Sequence, residues 1–186
     1  MARRRQGGTR RAERGFTLVE VCVALGMSLV LFSFTILPLR QMIADYRLAA
    51  DARAIASQLA LAKMQAAAEF TQAELVVNLA ANTMQIEVYD KASGEFAASG
   101  GAYTLSEGDA FSVGGVTSPA GDQTTLAQTP AITFNSRGVP IDTTGTPTAN
   151  DALYLIDTNG SCWAVTVSAA GQIGVWQYSG GSWIAR

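Results

Sequence analysis

Histidine does not occur in this 186-residue chain, and lysine occurs only at Lys63 and Lys91. Without histidine there is no Ser–His–Asp or Cys–His nucleophile, and the commonest metal ligand is missing. Ser161, Ser168 and Ser182 therefore have no imidazole to activate them. No spacing of Asp and Glu brings two carboxylates together for acid–base work. The chain reads as a non-enzyme that needs no cofactor. Cysteine is almost as scarce, with Cys22 inside an apolar run and Cys162 near the C-terminus. That pair does not suit an intrachain disulfide, and both read as small apolar residues.

Charge is also thin, at 15% of residues, and it is unevenly placed. The net value of −2 hides a head of six arginines (Arg3, Arg4, Arg5, Arg10, Arg11, Arg14) opposed only by Glu13. Everything after residue 15 is acidic on balance. A basic head running straight into an apolar stretch is a targeting or topology pattern rather than a nucleic-acid tail.

That stretch, Phe16–Leu39, has 24 residues and one charge, Glu20. At 1.5 Å per residue it is long enough to cross about 30 Å of hydrocarbon. It is longer than the core of a cleaved secretory signal and has no small-x-small site at its end. The arginines place the N-terminus in the cytoplasm and the chain beyond residue 39 outside. A carboxylate within such a run is costly, so Glu20 needs a partner or a purpose.

Helical periodicity continues past the apolar run. Leu48, Ala52, Ile55, Leu59, Ala62 and Ala66 recur at spacings of four and three, which predicts one apolar stripe on a helix reaching about Phe70. Arg47 and Asp51 are placed to pair at i, i+4 on a more polar flank. Lys63 falls at a solvated position. Pro38 lies inside the helix and favours a kink. The second half of this helix needs a domain to cover its stripe.

The rest reads as β. ELVVNL (74–79) and TMQIEVY (83–89) form a hairpin with a turn at Ala80–Asn82, and DKASGE (90–95) is a turn cluster. Residues 106–130 read as a long surface loop with a short strand near Phe111–Val113. AITF (131–134), ALYLID (152–157), CWAVTVS (162–168), IGVWQY (173–178) and SWIA (182–185) come next as strands. The fold class expected is α+β: a long N-terminal helix packed on an antiparallel β-sheet domain.

RGFTLVE, residues 14–20, resembles the cleavage motif of type IV prepilins and pseudopilins: a basic leader, Gly15 before the cut, Phe16 after it, and Glu20 four residues on. The resemblance implies that prepilin peptidase cuts between Gly15 and Phe16 and that Phe16 is N-methylated. It also implies that Glu20 meets the N-terminal ammonium of a neighbouring subunit and so sets assembly register. Pro38 lies about where such helices carry a proline. DARAIASQLALAKMQAAA (51–68), FNSRG (134–138) and VTVSAAGQI (165–173) resemble the GspH/FimT-type minor pseudopilins. The implied layout is a leader (1–15), a membrane and filament-core helix (16–39), an amphipathic helix (40–70) and a β-rich domain (71–186). The implied role is a subunit of a type II secretion pseudopilus or a type IV pilus, near the tip. Its partners would be other pseudopilins or pilins, prepilin peptidase and the inner-membrane assembly platform. Its place would be the bacterial inner membrane, with the C-terminal domain periplasmic.

Other readings stand beside this one. Some FimT-like pilins take up DNA through basic C-terminal residues, but the last 50 residues here hold only Arg137 and Arg186, with Gln172 where a basic hairpin would be expected. Adhesion, or a sensor or binding domain on a plain single-pass anchor, are the remaining alternatives. Asp142, Asp151 and Asp157 could line an oxygen-rich calcium loop, but their spacing is not that of an EF-hand and they read as solvated turn residues. Trp163, Trp176, Tyr178 and Trp183 could form a stacking platform, and on alternating strands they read as core and cross-strand packing.

Overall fold

The computed structural model describes residues 16–186; residues 1–15, including Gly15 and the six arginines before it, lie outside the described residues. The chain divides into two compact units, the first ending at Arg40 and the second covering Gln41–Arg186.

One helix, α1 (Leu18–Ala68), begins in the first unit and ends in the second. Thr17 caps its start: the Thr17 carbonyl accepts the first helical bond from the Val21 N–H at 3.2 Å, and its hydroxyl accepts from the Glu20 N–H at 3.3 Å. Its end is a left-handed residue, Phe70 at φ 52°, with the Thr71 N–H reaching back to the Ala66 carbonyl at 3.0 Å. Both ends fall two residues inside the expected bounds of 16 and 70. Pro38 lies inside α1. In the first unit the apolar side chains of Leu18, Val23, Leu25, Leu29, Leu31 and Phe32 are all exposed.

The second unit contains two antiparallel sheets, where the sequence suggests one. The first joins β1 (Ala73–Asn78), β2 (Thr83–Asp90), β3 (Glu95–Ala98), β4 (Tyr103–Thr104), β6 (Ala131–Phe134) and β7 (Pro140–Ile141) in the order β3-β2-β1-β6-β7, with β4 also on β2. The second runs β11-β10-β9-β8-β5, from β5 (Ala110–Phe111), β8 (Asp151–Ile156), β9 (Cys162–Val167), β10 (Ile173–Ser179) and β11 (Ser182–Ala185). Strands β3, β4 and β7 are not evident in the sequence. Two of them have only two residues, too few to show a period.

Leu48, Ala52, Ile55, Leu59, Ala62 and Ala66 are all fully buried, and they pack with Leu75, Ile86 and Phe134 of the first sheet and Leu153, Val165 and Val167 of the second. The expected stripe is therefore the seam between helix and both sheets. Three alanines on it let the helix backbone come close to the strands.

Residues 112–130 are not a free surface loop. Ala120 is fully buried and forms a second cluster with Ala152, Tyr154 and Ala164, against which Val113, Leu126, Trp176 and Trp183 pack. The loop covers the outer face of the second sheet, so β9 is buried on both faces and its sequence does not alternate. Side chains and backbone satisfy one another along this cover. Gln128 exchanges two bonds with the Tyr154 backbone at 2.8 and 2.9 Å, and Tyr154 Oη accepts from the Ala120 N–H at 3.2 Å. Trp176 and Trp183 belong to this cover and Trp163 to the core facing α1, so the tryptophans do not form an open platform. Trp163 is 4% exposed, and Trp176 Nε1 donates to Thr166 Oγ1 at 2.9 Å. Tyr178 and Trp183 meet across β10 and β11 with ring centroids 5.1 Å apart and tilted by 59°. Cys22 and Cys162 are both free thiols.

Candidate functional site

The residues that the prepilin resemblance singles out lie in the first unit. Phe16 is 80% exposed and precedes the helix cap, and Glu20 occupies the first turn of α1. A carboxylate there interacts favourably with the positive end of the helix dipole, by about 0.3–1 kcal/mol at an exposed site. Thr17 and Glu20 also have the spacing of a capping box, a local role that TLVE signals in the sequence and that the prepilin motif overshadows. Only the Thr17 half is made. Among the described residues no hydrogen bond engages the Glu20 carboxylate. Gly15 lies outside the described residues.

In the second unit the two later signatures, far apart in sequence, meet. The FNSRG turn is folded by Asn135, whose Oδ1 accepts from the Arg137 and Val139 N–H groups at 2.9 and 3.1 Å. Gly138 closes it at φ 73°. Gly171, in the turn between β9 and β10, has the same φ of 73° and lies so close to Gly138 that a Cβ there would strike the Gly138 carbonyl oxygen. Lys63 lies over both. Its Nζ donates to the Gly171 carbonyl at 2.9 Å, and its stem passes 2.5 Å from where a Gly138 Cβ would stand. Lys63 is thus half-buried and ties α1 to one turn from each sheet, not solvated as its position on the helix suggests.

Asp51 also departs from expectation. It is 1% exposed and does not lie on a polar flank. Tyr103 Oη donates to its Oδ1 at 2.8 Å, and the Ser106 N–H and Oγ donate to its two oxygens at 2.7 and 3.2 Å. Asp109, 7% exposed, lies beside it. Burial, then a hydrogen bond to Asp51, then the charges of Asp51 and Asp157 push the Asp109 carboxyl up to about 7, with Arg47 opposing. Burial and the same Asp51 contact raise the Tyr103 hydroxyl to about 12. A carboxylate pair therefore does exist, though no sequence spacing reveals it.

Asp151 and Asp157 are buried rather than solvated. Burial lifts Asp151 to about 6, whereas Asp157 accepts from the Asn159 and Ser161 N–H groups at 2.9 and 2.8 Å. Asp142 is exposed and folds its own turn, and its bond from the Thr144 hydroxyl heads the contacts that hold its carboxyl low. Among the described residues no three acidic or cysteine side chains gather to hold a metal ion. Arg137 lies in a turn of the first sheet and Arg186 ends the second, bound to Gln177 Oε1 at 2.9 and 2.6 Å.

The sequence profile described as Type II transport protein GspH matches residues 51–171, well over half of the chain. The chain belongs to the GspH family. The match starts at Asp51 and ends at Gly171, so it takes in Lys63, Gly138 and the whole clasp between them. A crystal structure of the minor pseudopilin EpsH from the type II secretion system of Vibrio cholerae is similar in fold. Its TM-score is 0.50 at 16% identity, over 72% of this chain and 94% of that one. A second Vibrio cholerae EpsH structure gives 0.48 at 14% identity, over 75% and 97%. No curated protein sequence matches. Of the two machines left open by the sequence, membership in GspH selects type II secretion, where this protein is a minor pseudopilin that assembles with other pseudopilins.

Proposed function

We propose that this GspH-type pseudopilin is a non-catalytic filament subunit whose N-terminal segment is both its anchor and its assembly key. In this reading prepilin peptidase removes residues 1–15, Phe16 becomes an N-methylated terminus, and residues 16–39 hold the chain in the inner membrane. The N-terminus is cytoplasmic, and residues 40–70 with the β-rich 71–186 stand in the periplasm. The assembly platform then lifts the subunit into the pseudopilus, near its tip, with Pro38 easing a bend in the helix.

The observation that supports this most is the first unit's surface. Apolar side chains are exposed all round the helix, the most apolar stretch of α1 holds no buried residue, and one uncommitted carboxylate interrupts it. Such a surface requires lipid or other helices around it. A carboxylate and an ammonium are each costly there alone, and pairing between neighbours offsets both costs.

The intact mass of the membrane-extracted protein tests the processing step. The expected species starts at Phe16 and carries one added methyl group, and Gly15→Leu leaves only the full-length chain. A native species that retains the leader would contradict the role given to the N-terminal segment.

A further inference from the structure

The segment from β4 to β5 crosses from one sheet to the other: Thr83 and Met84 of β2 pair with β4, and Ile156 and Leu155 of β8 pair with β5. Between those strands the Ser106–Asp109 turn closes with the Asp109 N–H on the Ser106 carbonyl at 3.0 Å. The segment is thus one of the bridges between the sheets, and Asp51 on α1 holds it through Tyr103 and Ser106. We propose that a proton on Asp109, held against the Asp51 carboxylate, acts as a latch that fastens this bridge to α1 and loosens it when the proton leaves.

The surroundings of Asp109 favour a proton there. Asp109 Oδ2 is buried with no hydrogen-bond partner, and Asp51 already accepts from three donors. The groups facing Asp109 are Asp51 and Arg47 on α1, Tyr103 on β4 and Asp157 after β8, with Glu107 exposed in its own turn. Three carboxylates against one arginine leave excess negative charge in a buried place, and two like charges side by side cannot both be ionised cheaply. A proton on Asp109 turns one repulsion into a hydrogen bond.

Linkage gives the direction of the pH effect. Asp109 lies at about 7 in the folded protein against an ordinary value of 3.8. The folded state therefore holds the extra proton between those limits, and stability falls as pH rises through that range and levels off above it. Asp151 acts in the same direction but ends near 6. The interval from pH 6 to 7 thus separates the latch from Asp151.

The test is unfolding of the full processed chain in detergent, monitored by tryptophan fluorescence at pH 5 to 8.5. The folding equilibrium constant of the wild type should drop about fivefold between pH 6 and 7, as the folded state loses its one extra proton. Asp109→Asn, which keeps shape and a donor toward Asp51, should remove most of that drop, whereas Asp151→Asn should remove only about a twofold part of it. A wild type without the drop, or an Asp109→Asn protein that keeps it, overturns the latch. If Asp109→Asn does not fold, a carbon-13 carboxyl titration of the wild type decides. A midpoint near 7 for Asp109 supports the latch, and one near 4 rejects it.

Discussion

Lys63, Gly138 and Gly171 come from three separate places in the sequence and occupy one small volume. Both glycines have φ near 73°, a left-handed conformation that costs other residues roughly 1–2 kcal/mol. Gly138→Ala should cost about that much, because its Cβ would meet only the flexible stem of Lys63. Gly171→Ala should cost clearly more, since its Cβ meets the backbone oxygen of Gly138, which can move only with the turn. Denaturant unfolding of the two variants checks the order, and equal costs would mean the turns are not in contact. Lys63→Met should lose about 1–3 kcal/mol with the bond to the Gly171 carbonyl, mostly in unfolding free energy. None of this is visible at single positions. A lysine on a helix looks solvated until the fold brings a carbonyl to it, and the same holds for Asp51, which lies beside Leu48 and Ala52 at the edge of the buried stripe.

At the level of elements, legibility tracks length and period. The stripe on α1 is readable because six apolar positions repeat over 19 residues, and each is buried. The long strands β1, β2, β8, β9 and β10 are readable from β-branched runs between turn residues. Strand β3, four residues long, starts at the last residue of a turn cluster, and β4 and β7 exist only because partners pair with them. The cover over 112–130 looks like open loop for a related reason: small and polar residues such as Ala120 and Gln128 cover a sheet face by close approach and side-chain bonds, without an apolar run. Two neighbours on one helix give the direct check. Leu59→Ala should cost about 2–5 kcal/mol through the cavity it leaves in the seam. Met64→Ala, 65% exposed, should change stability by less than about 0.5 kcal/mol. Similar losses at both positions would contradict the assignment of the buried face.

For the molecule as a whole, the two units divide the work. The GspH match, residues 51–171, lies within the Gln41–Arg186 unit, which holds its own core, whereas the first unit exposes apolar side chains that need surroundings from outside the chain. The resemblance at residues 14–20 lies outside the matched span, so the assembly role proposed for Glu20 stands on chemistry that can be tested in isolation. Glu20→Ala removes a charge from an apolar helix and should leave leader cleavage and membrane insertion intact. Losing one member of a buried pair typically costs about 3–5 kcal/mol, or roughly two to three decades in an association constant. Crosslinking to neighbouring pseudopilins in membranes, at matched expression, is the measurement closest to the central claim. The account predicts that Glu20→Ala is processed normally but largely lost from the crosslinked filament, with Glu20→Asp between it and the wild type. Undiminished crosslinking of Glu20→Ala would contradict it.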